Sequence, residues 1–227
     1  MNRQTLREDA AMPTGTRRAE QLQATREALL DAAERLFAEH GLEVSARKVS
    51  EAAGQGNNTA VAYHFGSKEG LVKAVIQRHS AEVERRRQAA VERVGDSDDF
   101  RDWIGCLVRP MTDHLAALGN PTWYARFREQ AATDPGFREL LSKDAREWAP
   151  LQRTVREIDR CMPHMPAEVR AERSLMMRLL LVHMPAERER QLAEGEPTAS
   201  ADWDGMATRL IDAIVGICVA PVSPESA

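Results

Sequence analysis

The chain has few cysteines and no long apolar run. Its three cysteines, Cys106, Cys161 and Cys218, lie far apart without a C-x-x-C spacing, which argues against a zinc finger and against a disulfide framework. No apolar stretch reaches the ~20 residues that a membrane-spanning helix needs, and residues 1–21 lack the apolar segment of a signal peptide. We therefore expect a cytoplasmic protein with reduced thiols and no membrane partner.

Motifs of common catalytic sites are also missing. The sequence contains no G-x-S-x-G, no phosphate-binding glycine loop and no H-E-x-x-H. His183 with Glu187, and Asp113 beside His114, are the nearest approach to the carboxylate and histidine pairs of helical metal enzymes. Pro185 separates the first pair, and no second set completes a site. An all-helical enzyme is thus the alternative from another class, but we expect no catalysis, no cofactor and no metal.

The charge of the chain is unevenly distributed. Of 227 residues, 43% are hydrophobic and 29% charged, which is typical of a globular protein, and the net charge is -4. Residues 1–95 hold 15 Lys and Arg against 13 Asp and Glu, whereas residues 96–227 hold 16 against 22. A basic N-terminal part is compatible with nucleic-acid binding in spite of the acidic total.

Apolar residues recur at steps of three and four, and no alternating strand pattern occurs. Asn120-Pro121 and Asp134-Pro135 each put a capping side chain before a proline, which predicts a helix start at each proline. Pro150 predicts a break in the helix that follows Asp134. The predicted helices are 23–40, 46–53, 67–94, 98–118, 121–132, 135–161 with that break, 167–184 with a continuation to 193, and 202–219.

Residues 45–68 predict two short helices joined by a tight turn. Ser45 is a good N-cap for the first helix, and Gly54 can adopt the left-handed conformation that ends it. Asn57 or Asn58 can cap the second helix, which runs through the Y-H-F triplet. Such a short second helix must be held by its neighbours, as in a helix-turn-helix.

The order of these motifs resembles the N-terminal DNA-binding domain of TetR-family transcriptional repressors. A helix ending in A-E-H-G-L precedes S-A-R-K-V-S-E-A-A-G and then Y-H-F-G-S-K-E-G-L, over about residues 25–75. Two features depart from the family: the segment from Gly54 to Phe65 is one residue longer than is common, and Ala62 stands where many members carry Tyr. The resemblance implies an all-α fold with an N-terminal three-helix helix-turn-helix domain plus a C-terminal helical ligand-binding and dimerisation domain.

The second helix of this motif is the predicted reader of the DNA major groove. Asparagine can pair bidentately with adenine, and the threonine methyl can contact thymine. The resemblance implies that His64 and Lys68 bind phosphates. Tyr63 is either a DNA contact or a packed ring, and one of the two asparagines can be a cap alone. The candidate DNA-binding residues are Arg47, Lys48, Asn57, Asn58, Thr59, Tyr63, His64 and Lys68.

The rest of the chain is predicted to regulate and dimerise this reader. We divide the chain into a disordered tail, 1–22, a helix-turn-helix domain, 23–80, and a regulatory domain, 81–227. One reader makes few contacts, so a homodimer is expected, and the resemblance implies that the two C-terminal apolar helices pair across it. These helices can equally be ordinary core.

The helices between residues 98 and 161 would enclose a ligand pocket in the manner of the family. Aromatic and methionine side chains are typical of such pockets, although the same stripe also fits a plain core. Few basic residues occupy inward positions, which predicts a ligand that is largely apolar and uncharged or weakly acidic. The candidate ligand-binding residues are Trp103, Leu107, Met111, His114, Trp123, Phe127, Trp148 and Met177.

These observations predict a sequence-specific DNA-binding transcriptional regulator, and a repressor is favoured over an activator. Its expected partners are a double-stranded palindromic operator, a second copy of the chain and a small-molecule effector that releases the DNA. The alternative is a DNA-binding dimer that has no small-molecule ligand.

Overall fold

The computed structural model describes residues 14–56 and 59–223, which form ten α-helices and no strand. The all-α fold predicted from the sequence is therefore confirmed. Among the described residues, no helix is long and apolar enough to cross a membrane. The helices are α1 Thr14–His40, α2 Ala46–Ala52, α3 Ala60–Phe65, α4 Lys68–Val94, α5 Phe100–Leu118, α6 Tyr124–Thr133, α7 Pro135–Glu147, α8 Ala149–Cys161, α9 Ala167–Glu194 and α10 Trp203–Val219.

Helices α1 and α3 pack on the first turns of α4, and α2 packs on α1 and α3, to form the N-terminal part. Ser45 caps α2, because its Oγ accepts from the backbone amide of Lys48 at 3.3 Å. Ser67 caps α4 in the same way, and the amide of Gly70 donates to its Oγ at 3.0 Å. The apolar faces of these helices meet in one core, which includes Leu29, Phe37, Val49, Val61 and Leu71.

The long helix α4 leaves this N-terminal part and enters the body, so the predicted boundary between residues 80 and 81 lies inside it. In the body, α5 packs between α4 and α10, while α6 packs between α1 and α9. Trp103 and Phe127 are fully buried there. Burying side chains of this size removes roughly 150–250 Å² each from solvent, so they contribute strongly to stability.

Two sequence-based predictions about helix ends are wrong. Residues 14–22 belong to α1 instead of a disordered tail, while residues 1–13 lie outside the described part of the chain. The sixth helix begins at Tyr124 and not at Pro121. The reason is a cap from another helix: the carboxylate of Glu189 on α9 accepts from the amides of Ala125 at 3.2 Å and Arg126 at 2.9 Å.

Other expectations about the helices agree with the structure. Asp134 caps α7 through the amides of Gly136 and Phe137, with Pro135 in the first turn as predicted. The predicted break separates α7 from α8 at Trp148. Helix α9 continues through Pro185 to Glu194.

Candidate DNA-binding surface and effector cavity

The helix-turn-helix is built by α2 and α3. Gly54 follows α2 with a φ of +70°, a conformation that side chains rarely adopt, so glycine is required for this turn. Helix α3 is only six residues long and buries a single side chain, Val61, against its neighbours. Ala60 and Phe65 pack against the core, whereas Ala62 and Tyr63 are exposed, so one face of α3 is available to a partner, as the major-groove reader of a helix-turn-helix must be.

The predicted DNA-binding residues lie at several places around this motif. Arg47 and Lys48 are exposed on α2, and Arg47 pairs with Glu51 at 2.8 Å. Thr59 is exposed at the N-cap position of α3, whereas the sequence predicted it inside the helix. The difference arises because α3 starts at Ala60; Asn57 and Asn58, the predicted caps, lie outside the described residues.

The other three predicted contacts belong to α3 and the start of α4. Tyr63 is 70% exposed, so it is not a packed core ring. His64 is half-buried and makes an edge contact with Tyr63 at 5.0 Å. Lys68 is the first residue of α4 and is half-buried.

A surface groove of ≈ 360 Å³ joins α3 to the beginning of α1. Thr59, Tyr63 and His64 line one side, and Arg18 lies on the other. The groove thus brings three of the predicted contacts together with a basic residue of the extended first helix. The sequence predicts a solvated tail for Arg18, with the alternative that Arg17 and Arg18 reach a DNA minor groove, and it does not predict the helix that holds Arg18 beside α3.

A second cavity, of ≈ 90 Å³, lies in the body between α4 and α5, α6, α7 and α8. Two of the eight predicted ligand-binding residues, Met111 and Trp148, line it. Polar and charged side chains that were not predicted line it as well. They are Ser80, Glu84, Arg87, Tyr124, Arg128 and Asp144.

The remaining six predicted ligand residues are placed elsewhere. Trp123 lines a separate surface cleft of ≈ 310 Å³, and its indole N–H donates to Glu39 at 3.1 Å. Trp103 is buried, and its indole donates to the carbonyl of Ser97 at 2.8 Å. The other four pack in or against the core. They are Leu107, His114, Phe127 and Met177.

The charged lining of the cavity is held by specific hydrogen bonds. Arg87 Nε donates to Glu84 Oε1 at 2.9 Å, and Arg87 Nη1 donates to the carbonyl of Cys106 at 2.6 Å. Burial lowers the pKa of Arg87, and the neighbouring Glu84 opposes that shift. Asp144 Oδ2 accepts from Ser80 Oγ at 2.6 Å and from Trp148 Nε1 at 3.3 Å.

A signal for these residues existed in the sequence. Ser80, Glu84 and Arg87 fall at steps of four and three, on the same side of α4 as Ile76 and Val83. Charged residues on an apolar helix face are uncommon in a core unless they are paired. The pattern therefore marked a polar interior that an apolar stripe does not explain.

A row of buried, hydrogen-bonded polar side chains connects the N-terminal part to the body beside this cavity. His79 Nε2 lies 2.8 Å from Glu34 Oε2, and His79 Nδ1 lies 2.8 Å from His114 Nε2. An ionised Glu34 only accepts, so His79 donates from Nε2 to it. Burial, followed by the charge of His79, lowers the pKa of His114 from 6.5 to about 4. The ring of Tyr124 stacks on His79 with centroids 3.8 Å apart.

Helix α6 is the second connection between the cavity and the N-terminal part. Tyr124 and Arg128 line the cavity, while Phe127 on the same helix packs against Phe37 of α1 with ring centroids 6.3 Å apart. The start of α6 is fixed to α9 by Glu189, which is 1% exposed. Burial raises the pKa of Glu189, and its bonds to α6 amides and Arg126 oppose that shift.

The helix-turn-helix segment matches a known protein family. Residues 29–75 match the family described as bacterial regulatory proteins, tetR family. A crystal structure of a TetR family transcription regulator from Marinobacter aquaeolei VT8 is similar, with 17% identity and a TM-score of 0.56 over 86% of this chain and 97% of that one. The TetR family transcriptional regulator PfmR from Thermus thermophilus has 18% identity and a TM-score of 0.51 over 82% and 96%.

At these identities the two structures establish a shared fold, whereas the family match covers the helix-turn-helix itself. No curated protein matches the chain. The matched segment contains α2 and α3 complete, together with the parts of α1 and α4 that hold them. Residues 29–75 therefore form a DNA-binding domain of the tetR family of bacterial regulatory proteins, and the chain shares the all-α fold of TetR-family regulators.

Proposed function

We propose that the protein is a homodimeric repressor that acts in the cytoplasm, binds a palindromic operator and is released by a small, largely apolar effector. The observation that carries this proposal is the helix-turn-helix, in which α3 buries only Val61 and leaves Tyr63 70% exposed. A six-residue helix with so little burial has no stability of its own. Its outward face is explained by insertion into the major groove of DNA.

The residues around α3 divide into base and phosphate contacts. Asn57, Asn58 and Thr59 precede α3 and would approach base edges, where a good contact contributes ~1–3 kcal/mol of discrimination. Lys68 begins α4, where its charge adds to the positive end of the helix, and a phosphate is favoured there.

Arg47, Lys48, Tyr63 and His64 are assigned to backbone contacts in this proposal. Lys48 has an exposed side chain on α2, while Arg47 would have to exchange its pairing with Glu51 for a phosphate. Such an exposed pair contributes roughly 0.3–0.5 kcal/mol, so the exchange is inexpensive.

Helices α9 and α10 are the proposed dimer interface. Leu175, Met176 and Leu179 are 43%, 47% and 47% exposed, and they form an apolar stripe on the first half of α9. Ala213 and Gly216 are exposed on α10, which packs beside α9. A second copy of the chain would cover this stripe in an isologous contact and would present two readers to the two halves of a palindrome.

The proposed effector acts by shifting the population of dimer conformations. It binds in the cavity beside α4 and favours a spacing of the readers that does not fit the operator. Both Glu84 and His79 lie on α4, so the cavity and the hydrogen bond from His79 to Glu34 of α1 share one helix. Effector and operator must then weaken each other by the same factor, and calorimetry that finds no mutual effect would exclude this mechanism.

The DNA-binding proposal is tested by titrating the protein with DNA from beside its own coding region at several salt concentrations. Lys68→Ala is expected to weaken binding to all sequences and to reduce the salt slope by about 0.9, the value for one phosphate contact. Asn58→Ala is expected to cost ~1–3 kcal/mol on the preferred sequence and little on random DNA.

Lys143→Ala is the matched control, because Lys143 is an exposed lysine on α7 whose partner is Glu139 of the same helix. It removes the same charge from the body, so its salt slope should equal that of the unaltered protein. Equal effects of Lys68→Ala and Lys143→Ala would contradict the assignment of Lys68 to a phosphate.

The alternative of a DNA-binding dimer without an effector has one observation in its favour. The cavity of ≈ 90 Å³ is well below the roughly 300–1,000 Å³ of common ligand pockets. A thermal-shift screen distinguishes the two, since an effector raises the melting temperature of the DNA-free protein by mass action. A protein that binds its operator and is stabilised by no compound would follow the alternative.

A further inference from the structure

We propose that the cavity between α4 and α8 binds a single-ring aromatic molecule that carries a hydrogen-bond donor and an acid group, with Glu84 receiving the donor and Arg128 binding the acid. This inference rests on the proposed function and deepens it by naming the class of effector. It starts from two polar groups on the cavity wall that lack partners within the described part of the chain.

The first of these groups is one oxygen of Glu84. The side chain is 6% exposed, and Oε1 accepts from Arg87 Nε at 2.9 Å. Among the residues that the structure describes, none hydrogen-bonds to the buried Oε2. A buried carboxylate oxygen without a donor is unfavourable, so the site gains stability when a bound molecule supplies an N–H or O–H.

The second group is the guanidinium of Arg128 on α6. It lines the same cavity, is half-buried, and forms no hydrogen bond or ion pair within residues 14–56 and 59–223. Arg87, the other arginine of the wall, already donates hydrogen bonds to Glu84 and to the carbonyls of Cys106 and Leu107. Arg128 is therefore the cation of the cavity that can bind an acid, and its planar donors suit a carboxylate.

The remainder of the wall determines the body of the ligand. Asp144 accepts two hydrogen bonds through Oδ2, and its Oδ1 is not buried, so Glu84 Oε2 gains more than Asp144 from the donor of the ligand. Apolar side chains supply the rest of the surface. They are Ile76, Val83, Met111, Leu141, Trp148 and Leu151.

The charges on the cavity wall and the volume of the cavity narrow the class of ligand further. The four charged groups on the wall, two acids and two arginines, balance in formal charge, so neither a simple cation nor a simple anion is matched by the whole site. A ring with both a donor and an acid satisfies Glu84 and Arg128 together. The volume of ≈ 90 Å³ excludes a skeleton larger than one ring, since a cavity of about 150 Å³ holds a single benzene. One ring enters when half-buried side chains of the wall, such as Met111 and Trp148, move outward.

The test uses the full-length protein and a series of defined probes in isothermal titration calorimetry. The ortho, meta and para isomers of aminobenzoate carry both groups, benzoate lacks the donor, and aniline lacks the acid. We expect at least one aminobenzoate to bind about tenfold or more tighter than both benzoate and aniline, since each charge-assisted bond adds at least this factor. If no isomer exceeds both single-function probes, the proposal is wrong.

Two variants assign the two ends of the ligand. Glu84→Gln keeps an acceptor for Arg87 and puts a donor in place of Oε2, so the preference for aminobenzoate over benzoate should be lost. Arg128→Gln should remove the preference over aniline instead. Arg85→Gln is the control, because Arg85 lies on the same helix with its side chain 68% exposed; its preferences should equal those of the unaltered protein.

Thermal melting of each variant identifies any that does not fold. Arg128 is only half-buried, so Arg128→Gln remains informative if Glu84→Gln is too unstable to measure. Unchanged preferences in a folded Arg128→Gln protein would overturn the proposal.

Operator binding is measured separately, which keeps this inference apart from the proposed function. A protein that binds its operator but none of the probes refutes the ligand class and leaves the DNA-binding function intact. A protein that binds an aminobenzoate without losing affinity for its operator supports the site and refutes its role as the effector site.

Discussion

The buried, hydrogen-bonded side chains of Glu34, His79 and His114 make the free energy of unfolding depend on pH. His114 is 6% exposed, and burial together with the adjacent His79 lowers its pKa from 6.5 to about 4. In the unfolded chain the same imidazole titrates near 6.5, so below this pH the unfolded state binds more protons than the folded state. The contribution of the neutral His114 to the free energy of unfolding is present in full above pH 6.5 and is lost as the pH falls towards 4.

The size of this effect follows from the shift. This lowering of the pKa reduces the free energy of unfolding by about 3 kcal/mol once the pH is well below both the unfolded and the folded pKa of His114. Between pH 8 and pH 5 the free energy of unfolding should fall by about 2 kcal/mol from this residue alone. Other groups also titrate in this range, so the quantity to compare is the difference between the protein and a variant without the imidazole.

His114→Gln is the appropriate variant, because its amide can either donate to or accept from His79 Nδ1, whichever role His79 requires of its partner. Urea unfolding of both proteins at equal concentration, from pH 8 to pH 5, gives the two pH dependences. The variant should lose about 2 kcal/mol less than the original protein over this interval. Parallel curves would refute the reasoning, since they would mean that His114 is equally easy to protonate in the folded state and the unfolded state.

Three further predictions follow from other contacts. Gly70→Ala should abolish operator binding in a filter-binding assay. A Cβ at Gly70 would lie 2.0 Å from the carbonyl oxygen of Phe65, against a normal C···O contact of about 3.3 Å, so α3 would be displaced. Gly105→Ala is the control in the same assay, because its Cβ would meet nothing within 4 Å. Glu189→Ala should lower the free energy of unfolding by roughly 3–5 kcal/mol in urea, because it leaves the guanidinium of Arg126 and two α6 amides without their acceptor; a loss below about 1 kcal/mol would show that water replaces the carboxylate. Leu179→Glu should shift the proposed dimer to a monomer in sedimentation equilibrium, because it puts a charge into the apolar stripe on α9; Val155→Glu, at a similarly exposed position on α8, should leave the dimer intact.

The helices that the sequence predicted well are those whose ends are determined locally. Ser45 and Asp134 cap their helices with their own side chains, and Pro150 separates α7 from α8 within a few residues. These signals lie next to the structure they produce. For the same reason, the all-α fold and the helix-turn-helix could be predicted from periodicity, caps and glycine positions.

The start of α6 and the wall of the cavity could not be predicted in this way. The cap of α6 is Glu189, which lies more than 60 residues further along the chain than the amides it accepts from. The polar wall combines Glu84 of α4 with Arg128 of α6 and Asp144 of α7, and no local pattern reports that these three meet. The aromatic residues chosen from the sequence were apolar enough for a pocket, but residues such as Trp103 and Phe127 are used for the core.

In the proposed mechanism, a ligand in the body acts on the reader through the contacts that join α1, α4 and α6. Glu84 lies on α4 and Arg128 on α6, so a molecule bound by both would determine the distance between these helices. Helix α1 is joined to α4 by the Glu34–His79 hydrogen bond, and to α6 by the packing of Phe37 on Phe127. Because packed interiors do not deform continuously, a changed distance between α4 and α6 must break or shift one of these two connections.

Helix α3 would follow such a shift. Arg26 of α1 lies over the ring of Phe65 at the end of α3, 5.2 Å from its centroid, and Val61 packs in the core that α1 shares. We therefore expect the reader to move with α1 as one unit. In a dimer joined through α9 and α10, a small rotation of each unit changes the spacing between the two readers, and that spacing is what a palindromic operator measures.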